Sequence, residues 1–280
     1  MDDVFIGSEA LADGVLTRGQ LRWNYRAIYP DVYVPAQATP SLLQRAVGAW
    51  LWSRRRGVVA GLAAAALHGA RWIEADADVE LIWQNGRPPS GIVVRNNRIR
   101  PDEIIELAGL PVTTAERTAF DLARHRSRDE AVFRLDALAS ATGITAADMQ
   151  SLADRYRGAR HWWRVFDPLD LMDGGAQSPW ESMVRLALLD CGFPKPRTHF
   201  TVTDGDSTAT LAMGYEAPMV AVQFTSTTPE FVERIGWRTI SAADSGNPLV
   251  VAGLVRFAVI ERGYPLWKLR RLNFAGLTRA

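Results

Sequence analysis

The chain has 280 residues, 48% apolar and 22% charged, with a net charge of +1. Length points to about two domains, and an ordinary apolar fraction excludes wholesale disorder. The longest apolar stretch, Val58 to Leu67, falls well short of the roughly 18 residues a membrane helix needs, so no membrane partner is expected.

In chain order, Ser8 is predicted to cap a helix from Glu9 to about Asp13, and Asp13-Gly14 reads as a turn. Thr17 caps a second helix, Arg18 to about Asn24, with Gln20 in the capping-box position. Ala27 to Pro35 alternates β-branched and aromatic residues about Pro30-Asp31 and reads as a short β-wing. Ser41 to Arg54 and the Ala-rich Val58 to His68 are read as helices. Val79 to Trp83, a turn at Asn85 to Gly91 and Gly91 to Arg95 read as a strand pair. Ile104 to Leu107 and Leu110 to Thr113 are short strands. Helices start at Thr114, at Asp129 and at Thr145. Asp167 to Gly175 reads as a linker. Ser178, with Pro179 at the first helical position and Glu181 third after the cap, starts a helix that stops at Gly192. Strands follow at 198–203, 208–213, 219–224 and 237–241, with an Asp204-Gly205 hairpin and a closing helix over 248–262. The expected class is α+β: a compact winged helix-turn-helix over 1–37, a central α+β domain over 38–166, a second α+β domain over 176–265 and a tail over 266–280.

The charge is uneven. Gly14 to Ile73 carries eight arginines against one acid, whereas Pro101 to Asp173 carries nine arginines against thirteen acids. A basic front on a near-neutral chain suits a phosphate-bearing partner; scattered arginines that keep a small lobe soluble are the alternative. Thr17 and Arg18 are candidates for phosphate, and Gln20 and Arg22 for base edges, since both types make bidentate contacts to purines. Arg26 and the run Arg54-Arg55-Arg56 are further phosphate candidates, the run also reading as a solvated helix end. Leu21 and Trp23 are read as core. So is Trp162-Trp163, with a partner anchor as the alternative. A helix this short implies a dimer on a palindromic site.

Other chemistries find little support. No Gly-x-Ser-x-Gly, P-loop or Gly-x-Gly-x-x-Gly is present. The lone Cys191 excludes an intramolecular disulfide framework and a cysteine-built zinc site, and is read as core. The four histidines are far apart in sequence, and His68 reads as a satisfied core or capping residue. The acidic start Met1-Asp2-Asp3 lacks the basic region of a signal peptide, so a cytoplasmic location is expected. A Mg²⁺-dependent phosphodiesterase needs converging carboxylates. Glu181 offers one, but the strand at 208–215 has no acid and the next strand has neutral Gln223 and Thr225. No metal, cofactor or catalytic residue is therefore expected, and Glu181 is read as a capping residue.

Four stretches together resemble the AbiEi-like antitoxin family of actinobacterial proteins: Gly14 to Arg22 with Ile28 to Pro35, Ala64 to Ala70, Gly109 to Ala123, and Ser178-Pro179-Trp180-Glu181-Ser182. The resemblance implies an N-terminal winged helix that binds double-stranded DNA, a central antitoxin domain, and a C-terminal region similar to very-short-patch-repair endonucleases. It also implies a nucleotidyltransferase-like toxin as partner. Matched to the nuclease pattern, Ala212 stands at the first Asp, Gln223 at the Glu, Thr225 at the next Asp and Ser226 at the Gly, so these positions and Glu181 are vestigial. The resulting expectation is a DNA-binding regulator, not an enzyme, that represses its own operon. A toxin-neutralising module without sequence-specific DNA binding and a Mg²⁺-dependent endonuclease are the alternatives.

Overall fold

The structure, a computed structural model, describes residues 4–84, 87–225, 227–243 and 245–264. The start Met1-Asp2-Asp3, the first two residues of the 85–91 turn, Ser226 and the 266–280 tail lie outside the described residues. The chain is α+β and divides into two compact units, one of residues 1–127 and 141–170, the other of 128–140 and 171–280.

The first unit opens with strand β1 (Phe5–Ile6), helix α1 (Gly7–Ala12), helix α2 (Arg18–Asn24) and strands β2 (Tyr25–Tyr29) and β3 (Val32–Pro35). The three strands form an antiparallel sheet in the order β1-β3-β2. Helix α1 starts earlier than expected. Ile6 precedes it without a side-chain cap, while Ser8, already helical, donates from its amide and hydroxyl to the Asp31 carboxylate. Asp31 turns the β2–β3 hairpin with φ of 63°, which Asp tolerates better than most residues. Thr17 and Gln20 form the full capping box.

Helix α3 (Leu42–Trp52) carries a second full box, from Ser41 to Gln44. The expected helix over 58–68 is instead a strand, β4 (Val58–Ala60), followed by α4 (Gly61–Leu67). The β-branched pair Val58-Val59 joins a sheet, and Gly61, at φ of 59°, turns the chain into the helix. A Cβ at Gly61 would collide with the buried Glu80 carboxylate. Strands β5 (Val79–Ile82) and β6 (Ile92–Arg95) do pair, but in parallel, so the segment between them crosses over instead of closing a hairpin. Strands β7 (Ile104–Leu107) and β8 (Leu110–Thr113) form an antiparallel hairpin, and the five-stranded sheet runs β6-β5-β4-β8-β7. Thr114 caps α5 (Ala115–His125) through the Arg117 amide. Helix α6 (Arg128–Thr142) belongs to the second unit as far as residue 140. Helix α7 (Ala146–Arg155), capped by Thr145 with Asp148, and α8 (Phe166–Leu171) return to the first; α8 occupies much of the expected linker. Tyr29, Val32 and Val34 share one core with Ala46, Ala49, Val59, Leu81 and Val112, so residues 1–37 are not packed as a separate body.

In the second unit Ser178 caps α9 (Pro179–Asp190) as expected, and Gly192, at φ of 86°, ends it. Strands β9 (Arg197–Thr203), β10 (Thr208–Tyr215) and β11 (Val220–Gln223) make an antiparallel meander. After the short α10 (Glu230–Arg234), β12 (Arg238–Ser241) adds in parallel, giving the order β12-β11-β10-β9. Helix α11 (Pro248–Glu261) packs on α9, burying Val251, Val255 and Val259 while Leu249, Val250 and Phe257 remain exposed.

Candidate functional site

Helix α2 exposes most of its side chains. Its capping box fixes the first turn and Leu21 alone is buried, so Arg18, Gln20, Arg22 and Trp23 project outward. The Trp23 ring is 77% exposed, which corrects its reading as core; the Arg22 guanidinium lies 5.7 Å from the ring centroid. Exposure costs Trp23 most of the burial free energy that such a large ring offers. Gln20 accepts from the Thr17 amide at 2.8 Å and the Thr17 hydroxyl at 3.0 Å, so its carbonyl oxygen is committed and its NH₂ is the group left for any further partner.

The other candidate arginines are not equivalent. Arg26, on β2, donates to the Ala38 carbonyl at 2.7 Å. Arg54 and Arg55 both have left-handed backbone angles, φ of 57° and 60°, in the turn that ends α3. Arg55 is clamped on both Glu9 oxygens at 2.7 and 2.6 Å, and that bond holds the Glu9 carboxyl below its ordinary range. Arg18, Arg54 and Arg56 form no side-chain ion pair or hydrogen bond among the described residues, and their charges face water.

The second unit places Glu181 at a helix start, where it is buried. Its amide donates to the Ser178 hydroxyl, and its carboxylate accepts from the Gln177 amide at 2.8 Å. Gln223 is also buried. Its Oε1 accepts from the Ala212 amide at 3.0 Å and its Nε2 donates to the Thr210 carbonyl at 3.2 Å, joining β11 to β10 beyond the last regular pair. Both ends of the amide are needed for that stitch, and a carboxylate offers acceptors only. The Thr225 hydroxyl donates to the Thr227 carbonyl. His68 ends α4 with Nε2 2.8 Å from the Thr113 carbonyl oxygen, as read from sequence, whereas Cys191 and Trp163 are exposed, against their reading as core.

The sequence reading missed a buried charge network in the first unit. Arg117, fully buried, donates through Nη1 to Glu103 at 2.5 Å and through Nε to Asp121 at 2.8 Å. Arg124 donates to the other Asp121 oxygen at 2.9 Å, and Arg155 reaches Glu103 at 2.7 Å. The Tyr156 hydroxyl is 2.6 Å from Glu103, and burial with that bond pushes its pKa up to about 12. Burial also drives Glu103 upward, but the bonds from Tyr156, Arg155 and Arg117 outweigh it and hold its carboxyl below the ordinary range. Asp121 goes the other way, burial raising it against the pull of Arg117 and Arg124. Beside them Glu80, also buried, pairs with Arg95 at 2.9 Å and with Arg126. The sequence carries one hint, the Arg117–Asp121 spacing of four on a helix; the other partners lie up to 53 positions apart.

Residues 55–171, which hold this network, match the family model of the AbiEi antitoxin C-terminal domain. Two uncharacterized proteins of Mycobacterium tuberculosis, from strains CDC 1551 and H37Rv, are each 28% identical over 116 residues. The match covers 41% of this chain and 42% of each relative, so the chain spans about two fifths of the length of the curated relatives it matches.

Proposed function

We propose, from the match of residues 55–171 to the family model of the AbiEi antitoxin C-terminal domain, that the chain is a DNA-binding, antitoxin-type regulator that represses its own operon. In this reading residues 1–37 act as a compact winged helix-turn-helix, with α2 in the major groove and the β2–β3 hairpin as the wing. The observation that carries it is the exposure of α2, whose outward face offers Arg18, Gln20, Arg22 and Trp23 over one buried leucine. Arg18 meets phosphate, while Arg22 and the Gln20 amide reach base edges. Arg54 and Arg56 add phosphate contacts; Arg55, held by Glu9, contributes less.

The second unit is read as a nuclease-like scaffold without catalysis. What supports this is the Gln223 amide, spent on stitching two strands at the position where a metal site wants a carboxylate. A nucleotidyltransferase-like toxin is the companion partner, supported by the family of residues 55–171.

The test is a titration of the full chain with a duplex from upstream of its own gene, at several salt concentrations. Affinity is expected to fall steeply with salt, and Arg18→Ala to lower the salt slope by about 1. Arg22→Ala should cost about 1–3 kcal/mol on the cognate site and less on other sequences. Unchanged binding in both variants removes α2 from the account.

A further inference from the structure

The first unit contains a cavity of about 680 Å³ that the DNA-binding reading does not use. It lies between the end of β6, the last turn of α5 and the segment that follows α7, and none of the residues lining it is an acid. Arg98, Arg160 and Arg164 stand exposed on its rim, with Arg95, Arg124 and His125 further in. We propose that this cavity binds a nucleoside polyphosphate, its phosphates on Arg98, Arg160 and Arg164 and its base against His161 and Asn97.

Several independent features point to an anion. The carboxylates behind the wall are already claimed, Glu80 by Arg95 and Arg126, Asp121 by Arg117 and Arg124, Glu103 by Arg117 and Arg155. The rim arginines are therefore surplus charge. The Arg98 and Arg164 guanidinium groups have no hydrogen-bond or ion-pair partner among the described residues. Arg160 spends only its Nε, on the His161 ring at 3.1 Å.

Other features point to a nucleotide instead of a bare anion. The volume lies within the roughly 300–1,000 Å³ of small-molecule sites, far larger than one phosphate needs. His161 is held at φ of 63°, a conformation that costs a non-glycine residue energy and marks an imposed orientation. The Arg160 Nε donates to the His161 Nε2 at 3.1 Å and so restrains the plane of the ring. The wall is held as well, because the Arg98 carbonyl accepts from the buried Arg117 at 3.1 Å, which anchors the backbone that presents Asn97 and Arg98. At the inner end, burial first of all, and then the surrounding arginines Arg124, Arg95, Arg126 and Arg117, bring the His125 pKa down to about 3. Duplex DNA carries its phosphates on a convex cylinder and meets such a cavity only at its rim.

The test is calorimetric titration of the full chain with ATP, GTP, inorganic phosphate and a DNA duplex of mixed sequence. A nucleoside triphosphate is expected to bind at least about tenfold more tightly than inorganic phosphate, and the double variant Arg98→Ala/Arg164→Ala to weaken it by about ten- to a hundredfold. These two side chains are exposed and unbonded, so the variant should fold. Nucleotide should also move the His125 ring-proton resonances, which binding elsewhere would leave in place. The proposal is overturned if neither nucleotide binds, if the double variant binds equally well, if inorganic phosphate binds as tightly, or if the duplex displaces nucleotide at lower concentration. Because DNA binding through α2 is measured with other variants, either reading can fail alone.

Discussion

The two units each bury an arginine against carboxylate, and they do so differently. In the second unit Asp136 is closed off: one oxygen accepts from the Asp173 amide at 2.7 Å, the other from the Ser182 hydroxyl at 2.5 Å and from Arg185 at 2.7 Å. Arg185 spends its remaining terminal nitrogen on the Leu171 carbonyl. One charge meets one charge, and polar neighbours complete the carboxylate's shell, while the Arg185 Nε has no acceptor among the described residues. In the first unit Arg117 instead joins two carboxylates, which draw in further arginines, and the chain of pairs ends at a cavity wall. A single buried pair of this kind is a clip between helices. The network of the first unit joins several charges and backs a concave face rimmed by exposed arginines.

The largest effect should come from the centre of each arrangement. Removing one partner of a buried ion pair costs about 3–5 kcal/mol, because the other is left charged without water. Arg185→Met leaves the Asp136 carboxylate buried with no second cation paired to it among the described residues and should reach the top of that range. Arg117→Met leaves Glu103 with Arg155 and Tyr156 and Asp121 with Arg124, so each carboxylate keeps a cation, and should fall at the bottom. Denaturant unfolding of both variants gives the comparison. Equal losses would mean that Arg155 and Arg124 do not compensate for the lost guanidinium and that the two arrangements do not differ in kind.

A smaller effect tests the reading of the vestigial position. Gln223→Glu keeps shape and one acceptor but cannot donate to the Thr210 carbonyl, and it brings a charge into a buried strand end. A loss of about 1–3 kcal/mol is expected, measured as a lower unfolding midpoint. An unchanged midpoint would show that the amide is not holding β10 to β11, and that the site tolerates the acid a metal would need.

How much of this was legible in the sequence depends on range. The helix starts at Thr17, Ser41, Thr114, Thr145 and Ser178 were readable because a capping residue and its partner lie within a few positions. Val58-Val59 was not, because β-branched residues running into an alanine stretch fit a helix equally well until Gly61 is known to take a positive φ. The parallel pairing of β5 with β6 was hidden for a related reason: a short connection suggests a hairpin, and only tertiary placement shows the crossover. Composition did not say which aromatics sit outside, so Trp23 and Trp163 were placed in the core. The exposed arginines of α2 were visible as a local pattern. The cavity was not, since its wall gathers side chains from Arg95 to Arg164, and their excess of charge emerges only once Glu80, Glu103 and Asp121 are seen to be spent.

The smallest expected effect sharpens the contrast from the side of the surplus charge. His125 is neutral in the folded chain down to about pH 3, whereas in an unfolded chain it takes up a proton near its ordinary value of about 6.5. Between those values the unfolded state binds more protons, so stability falls as pH falls. Nothing is lost above the upper value, where both states are neutral. Down to the lower one, unfolding takes up as much as about one extra proton at this position. Carboxylates held low by their partners, Glu103 and Glu9 among them, act in the same direction, so acid sensitivity alone does not identify His125. The difference between the wild type and His125→Gln does. Unfolding midpoints measured from pH 7 to pH 4 should fall less steeply in the variant, the two curves separating only below about 6.5. Parallel curves would mean that His125 is protonated in the folded state, against both its burial and the surrounding arginines. The same pair of curves taken with a saturating nucleoside triphosphate should lie closer together without merging, because anionic phosphate offsets the arginines' share of the shift and leaves the larger share from burial.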